Sequence, residues 1–249
     1  MKKSFKRGFT LIEVLVAMAI VGTVAALVIP PLVSGTQAKR HATSLGRSVE
    51  NIETGCQALV QNINELSDDG AFDGYFLISP DMDGTMSSTP AASIMANSAF
   101  LSYLANYIDL TPLTDEDKEK YINSVHAFNG DTASPGIANI AENFVLSPKL
   151  GAYYGVKSFK VSEEDEDYEY WYNLVYIDVN GPSGPNRYGM DIFLFNLTNN
   201  CHMVPAGTPL LSQLSIPVET EACAGKNVTN GLSCTSRVVK DGYKIEYRK

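Results

Sequence analysis

The 249-residue chain has an ordinary globular composition, with 45% hydrophobic and 19% charged residues. That is enough to bury one sizeable core or two small ones. The formal charge is −9, and four basic residues lie in the first seven positions, so the remainder carries 15 basic against 28 acidic groups. Broad phosphate-binding surfaces need clustered Lys and Arg, so we expect no nucleic-acid partner.

The amino terminus combines a short basic stretch, residues 1–8, with an apolar run, residues 9–33, that contains one charge, Glu13. As a helix, this run spans a bilayer core of about 30 Å. A secretory signal peptide is the competing interpretation, but it favours a shorter apolar run and a small-residue cleavage site at its far end. Here the far end is Ile29-Pro30-Pro31. The positive-inside rule predicts a cytoplasmic amino terminus and a body on the other side of the membrane.

Glu13 needs a physical explanation, because an acid within the hydrocarbon costs on the order of 2.5 to 3.5 kcal/mol. Cleavage between Gly8 and Phe9 would create an α-amino group on Phe9. That positive charge would lie at the right depth to pair with Glu13 of the same chain or of a neighbour. The alternative is that Glu13 reaches the lipid headgroups from the end of the helix.

The sequence KRGFTLIEVL, residues 6–15, resembles the processing site of type IV prepilins and type II secretion pseudopilins. The resemblance implies that a membrane prepilin peptidase and methyltransferase cuts between Gly8 and Phe9 and methylates Phe9. It also implies that Glu13 pairs with a neighbouring amino terminus during assembly, and that Pro30 kinks the first helix. The implied partners are other pilin or pseudopilin subunits, an inner-membrane assembly platform and membrane lipid, with a periplasmic or cell-surface filament as the final location.

Residues 34–66 have the periodicity of an amphipathic helix. Apolar residues recur at alternating steps of four and three, which lines one helical face: Ala38, Ala42, Leu45, Val49, Ile52, Cys56, Leu59, Ile63 and Leu66. Cys56 lies on this face, so it is either a buried free thiol or half of a disulfide that ties the helix to the body.

The expected fold class is α+β and pilin-like: a long amino-terminal helix packed against an antiparallel β-sheet. The segments are a basic leader (1–8), a transmembrane half-helix (9–33), an amphipathic half-helix (34–66) and a globular body (67–249). Within the body, the patterns predict a helix over residues 93–109, a helix capped by Thr114, a hairpin and a final strand. The hairpin comprises Tyr168–Val179 and Met190–Leu197, and the final strand contains Tyr243, Ile245 and Tyr247.

The hairpin loop presents four oxygen-bearing side chains, Asp178, Asn180, Asn186 and Asp191. They are weak candidates for a calcium site, since their spacing does not fit an EF-hand. Turns also require Asx and Gly residues for backbone reasons alone. The pair Asp81 and Asp83 is a weaker candidate still, so we expect no cofactor, with calcium as the weak exception.

The four cysteines, Cys56, Cys201, Cys223 and Cys234, form no CxxC pair, and no histidine completes a zinc site. Disulfides in an oxidising compartment are the better interpretation, and spacing alone leaves three pairings open. Because ten residues with Gly and Asn close easily, and because pilins often have a disulfide in the carboxy-terminal loop, the resemblance favours Cys223 with Cys234. Cys56 with Cys201 would then follow.

No catalytic arrangement is evident in the sequence. Gly181 to Pro185 fails the GxSxG pattern at its last position, and His41, His126 and His202 are scattered. Five consecutive acids, Glu163–Asp167, indicate a solvated loop or a contact to a basic partner. We therefore expect a structural filament subunit rather than an enzyme. The alternative is a membrane-anchored adhesin or binding module that forms no filament.

Overall fold

The structure is a computed structural model that describes residues 9–61, 78–80, 86–88, 100–130, 144–162, 169–198, 200–209, 223, 231–245 and 247. The chain divides into two compact units, Met1–Arg40 and His41–Lys249. The expected leader boundary at residue 8 and the expected end of the amphipathic helix at residue 66 lie outside the described residues.

The longest element is helix α1, Leu11–Gln61. Within the first unit, its side chains from Leu11 to Val28 are exposed except for the partly buried Ala25. The helix assignment continues through Pro30 and Pro31, and the kink expected at Pro30 remains a prediction.

In the second unit, α1 buries the apolar face that its periodicity predicts. The residues of the stripe that fall here are all at most 6% exposed: Ala42, Leu45, Val49, Ile52, Cys56 and Leu59. The opposite face is polar and exposed at Arg47, Glu50 and Gln57. The amphipathic helix is confirmed over this stretch, while Ile63 and Leu66 lie outside the described residues.

The described strands form one sheet. The strands are β1 (Ile78–Pro80), β2 (Met86–Ser88), β3 (Thr111–Pro112), β4 (Val145–Ser147), β5 (Ala152–Ser162), β6 (Glu169–Asp178), β7 (Ile192–Leu197) and β8 (Met203–Pro205). From β3 to β8, each strand pairs antiparallel with the next, which makes a six-stranded meander. The β1–β2 hairpin joins the start of β6 through a parallel pairing at Ile78 and Tyr170. The helix and this sheet confirm the α+β pilin-like class.

Three short helices accompany the sheet: α2 (Phe100–Leu104), α3 (Asp115–Ser124) and α4 (Cys234–Lys240). The cap predicted at Thr114 is confirmed, since its Oγ1 accepts a hydrogen bond from the Asp117 N–H at 3.1 Å. Residues 93–99 of the predicted helix lie outside the described residues, and α2 ends at Leu104 rather than near residue 109, where hydrogen-bonded turns follow it.

Both faces of the sheet are covered, as the strand alternation requires. One face packs Tyr153, Leu174, Tyr176 and Leu194 into a cluster with Tyr121 of α3. The next residue of β5, Tyr154, points to the opposite face, where its side chain is fully buried. Most of the body's core therefore lies against the central strands β5, β6 and β7.

The final strand predicted at Tyr243, Ile245 and Tyr247 is wrong. Helix α4 precedes this segment, and the Tyr243 N–H donates to the Val238 carbonyl at 2.8 Å with Tyr243 at φ 57°. That left-handed turn ends α4 and directs the chain away from an extended path. Ile245 is buried without any strand pairing, so the alternating pattern reflected packing and not a β-ladder.

Candidate functional site

The start of α1 is closed by a reciprocal cap between Thr10 and Glu13. Glu13 Oε2 accepts hydrogen bonds from the Thr10 backbone N–H and from the Thr10 hydroxyl, each at 2.8 Å. The Glu13 N–H donates to Thr10 Oγ1 at 3.3 Å. This is the capping box of a T-x-x-E sequence, which satisfies free N–H groups of the first helical turn.

The segment after this cap is apolar and exposed. Leu11–Val28 has a mean hydropathy of 2.5 and none of it is buried. In the part of the chain that the structure describes, this is the one helix long and apolar enough to cross a membrane. Phe9, immediately before the cap, is 88% exposed. An apolar surface this long favours lipid or other apolar helices as its surroundings.

The four oxygen-bearing residues that are weak calcium candidates lie at the end of β6 and in the β6–β7 loop, residues 179–191. Asp178, at the end of β6, is fully buried. Its Oδ2 accepts from the Tyr121 hydroxyl at 2.8 Å and its Oδ1 from the Asn180 N–H at 3.1 Å. Burial raises the pKa of Asp178 well above its ordinary value and nearby Asp191 raises it further, while hydrogen bonds from Tyr121, Asn180 and Gly181 oppose this rise.

Asp191 and Asn186 shape the other end of the same loop. Asp191 is also fully buried, and its two oxygens accept from the backbone N–H groups of Asn186 and Arg187 at 2.9 and 2.7 Å. Asn186 accepts from the Gly184 N–H at 3.0 Å and donates to Ser124 Oγ at 2.6 Å. These side chains stabilise the loop by satisfying its backbone donors.

This arrangement gives the calcium interpretation no support. The carboxylate oxygens of Asp178 and Asp191 face protein donors, whereas calcium would need six to eight converging oxygens. Asn180 Oδ1 is buried and accepts no hydrogen bond from a described residue. Within the described residues, no group of three or more His, Cys, Asp or Glu side chains is placed to hold a metal. The weaker candidates Asp81 and Asp83 lie outside those residues.

Two disulfides fix the body. Cys56 of α1 joins Cys201, and Cys223 joins Cys234 at the start of α4. These are the two pairs favoured by the sequence, and Cys56 is therefore not a free thiol. The first bond links α1 to the turn between β7 and β8. The second packs against Phe128 and Tyr247.

Residues 3–29 match a family model described as the prokaryotic N-terminal methylation motif. This chain carries the type IV prepilin or pseudopilin signal. No curated protein and no solved structure matches the chain.

The prepilin signal agrees with the apolar exposed helix Leu11–Val28, which lies within the matched residues. It implies processing by a prepilin peptidase and assembly with pilin-type subunits, and together with the Leu11–Val28 helix it suggests membrane anchoring. Gly8 lies outside the described residues, whereas Phe9 and Glu13 lie within them. The structure places Glu13 one turn after Phe9, at the start of α1.

Two hydrogen-bonded features of the structure are not predicted above. The first is the capping box, whose local sequence signal is the T-x-x-E pattern from Thr10 to Glu13. Tyr121 as the donor to Asp178 had no sequence signal, since 57 positions separate them.

Proposed function

We propose that this protein is a structural subunit, a pilin or pseudopilin, of a type IV pilus or type II secretion filament. The observation that carries the proposal is the prepilin signal at residues 3–29, which includes the exposed apolar helix Leu11–Val28. An anchor alone requires the apolar helix but not the processing motif. The combination is what a subunit needs to be cut, held in the membrane and added to a filament.

In the proposed sequence of events, a prepilin peptidase cuts between Gly8 and Phe9, and the new amino terminus of Phe9 is methylated. The apolar half-helix, residues 9–33, holds the subunit in the bacterial inner membrane. The amphipathic half, 34–66, supports the body, 67–249, on the outer side. An assembly platform then transfers the subunit from lipid into a filament, where the apolar helices of neighbours replace lipid around it.

Glu13 has two roles in this proposal. Its Oε2 caps the helix through Thr10, and its Oε1 makes no hydrogen bond to a described residue. A neighbour's Phe9 amine can therefore approach the carboxylate without breaking the cap. The charge of Glu13 then serves the pairing between subunits, while the cap needs only an oxygen acceptor.

Three variants separate these roles in a bacterial host that supplies a prepilin peptidase and an assembly platform. Glu13→Gln retains an acceptor for the cap, since Gln also serves at this position, but removes the charge. Thr10→Ala removes the two hydrogen bonds of the cap that use the Thr10 hydroxyl and retains the charge. Glu13→Ala removes both the acceptor and the charge. We expect Glu13→Gln and Glu13→Ala to be processed and inserted but to form no filament, whereas Thr10→Ala assembles.

Filament counts by electron microscopy and the amount of processed chain by immunoblotting give the two readouts. Wild-type filaments together with normal assembly of Glu13→Gln would contradict the charge pairing. A processed, exported wild-type chain that forms no filament would instead favour the membrane-anchored binding module.

A further inference from the structure

A polar cleft lies between α1 and the turn that joins β4 to β5. Its volume is about 480 Å³. Arg47, Glu50, Asn51 and Thr54 line it from α1, and Lys149 and Leu150 line it from the turn. All six belong to the second unit of the chain.

The cleft contains two cationic side chains that have no ionic partner among the described residues. Arg47 and Lys149 are both exposed, and neither makes an ion pair or hydrogen bond with another described residue. Glu50, on the same wall, is also exposed and supplies one negative charge, so the cleft carries a net charge of one positive unit. The residues after Gly8 carry 15 basic against 28 acidic groups, so two cations that line one cleft form a distinct binding feature.

The strongest concentration of negative charge in the sequence, Glu163–Asp167, lies outside the described residues. Lys149 precedes β5, whereas the run Glu163–Asp167 follows its last residue, Ser162. Eleven residues of extended strand span about 33 Å. The antiparallel register of β5 with β6 is continuous from Tyr153 to Ser162, so this separation is fixed by the sheet. Ser162 and Glu169, the described residues on either side of the acidic run, are therefore paired at the end of β5 that lies farther from Lys149.

We propose that the cleft at Arg47 and Lys149 binds the acidic β5–β6 connection, Glu163–Asp167, of a second copy of this chain. A contact between two different patches is heterologous, and repeated from copy to copy it generates an open filament when the rotation between copies does not close into a ring. Such pairing also offsets the repulsion between acidic bodies. This inference rests on the proposed filament function and names a contact between its subunits.

Charge reversal with rescue tests the contact in the full-length chain. We expect Arg47→Glu combined with Lys149→Glu to reduce filament number at least tenfold. Combining these changes with Glu163→Lys and Glu164→Lys should restore assembly, because the attraction returns with its signs exchanged. The matched control is Lys244→Glu, which reverses an exposed lysine outside the cleft and should assemble normally. Assembly of the reversed variant at the wild-type level, or failure of the rescue, would overturn the proposal.

Zero-length cross-linking of wild-type filaments covers the case in which a reversed variant does not fold. A carbodiimide joins an amine only to a carboxylate in direct contact. In filaments mixed from light and heavy isotope-labelled chains, we expect a Lys149 peptide of one label joined to a 163–167 peptide of the other. Filaments that yield no such pair contradict the proposed contact.

The two proposals fail in distinguishable ways. If the wild-type chain forms no filament, the filament function fails, and the docking contact fails with it. If filaments form and depend on Glu13 but not on Arg47 and Lys149, only the docking contact is wrong.

Discussion

Removing the Cys56–Cys201 disulfide should destabilise the body more than removing Cys223–Cys234. In the chain-entropy description, a disulfide stabilises mainly by restricting the unfolded chain, and the effect grows with the enclosed loop. The first bond spans 145 positions and the second spans 11. The relation gives about 5 kcal/mol for the first and about 3 kcal/mol for the second. Because the two loops do not overlap in sequence, each contribution can be measured separately.

The two disulfides differ in loop length but not in burial. All four cysteines are at most 1% exposed, so Cys→Ala changes remove comparable packing at both sites. The difference of about 2 kcal/mol then reports the loop lengths. The variants should be Cys56→Ala with Cys201→Ala, and Cys223→Ala with Cys234→Ala, so that no free thiol remains.

Urea unfolding of the full-length chain in detergent micelles provides the assay, with fluorescence of its single tryptophan as the signal. We expect a clearly lower urea midpoint for the Cys56 and Cys201 variant than for the Cys223 and Cys234 variant. Equal midpoints, or the reverse order, would refute the reasoning that the long closed loop dominates the stability of the body.

Two further predictions concern close packing and pH. A Cβ at Gly55 would lie 2.7 Å from Ile108 Cγ2, so Gly55→Ala should lower the free energy of unfolding by about 1 kcal/mol despite its better helix propensity. Gly46→Ala is the matched control, because the nearest atoms to its Cβ would lie at 3.7 Å. We expect it to raise the free energy of unfolding by about 0.5 to 1 kcal/mol. Urea midpoints of the two variants that move in the same direction would contradict this prediction. The folded-state pKa of Asp178 is raised above its ordinary value of 3.8, so its stabilising contribution is complete below that pH and is lost as the pH rises through the raised pKa. We therefore expect the free energy of unfolding of the wild type, minus that of Asp178→Asn, to fall by at most about 1.4 kcal/mol for each pH unit of increase. If this free-energy difference does not change above pH 4, the pKa of Asp178 is not raised.

Elements with local signals could be predicted from the sequence. The apolar stripe of α1 needs only its own periodicity, so Leu45, Ile52 and Leu59 are buried as expected. The cap at Thr114 depends on a side chain and a backbone group three residues apart. The hairpin of β6 and β7 also follows from two apolar runs separated by Gly, Pro and Asn.

Features fixed by distant partners could not be predicted in the same way. The oxygens of Asp178 and Asp191 suggested a cation, but their protein donors include Tyr121, whose position no pattern encodes. The carboxy-terminal segment alternates like a strand, yet Tyr243 turns the chain after α4 and Ile245 packs without a neighbouring strand. In both places, tertiary contacts decide between alternatives that the local sequence leaves equal.

The amino terminus of the mature protein tests the central claim most directly. The full-length chain should be produced with a prepilin peptidase, purified from membranes or filaments, and analysed by amino-terminal peptide mass spectrometry. The account predicts a first residue of Phe9 that carries one added methyl group. A chain that begins at Met1, or one cut beyond the apolar helix at a signal-peptide site, would contradict it.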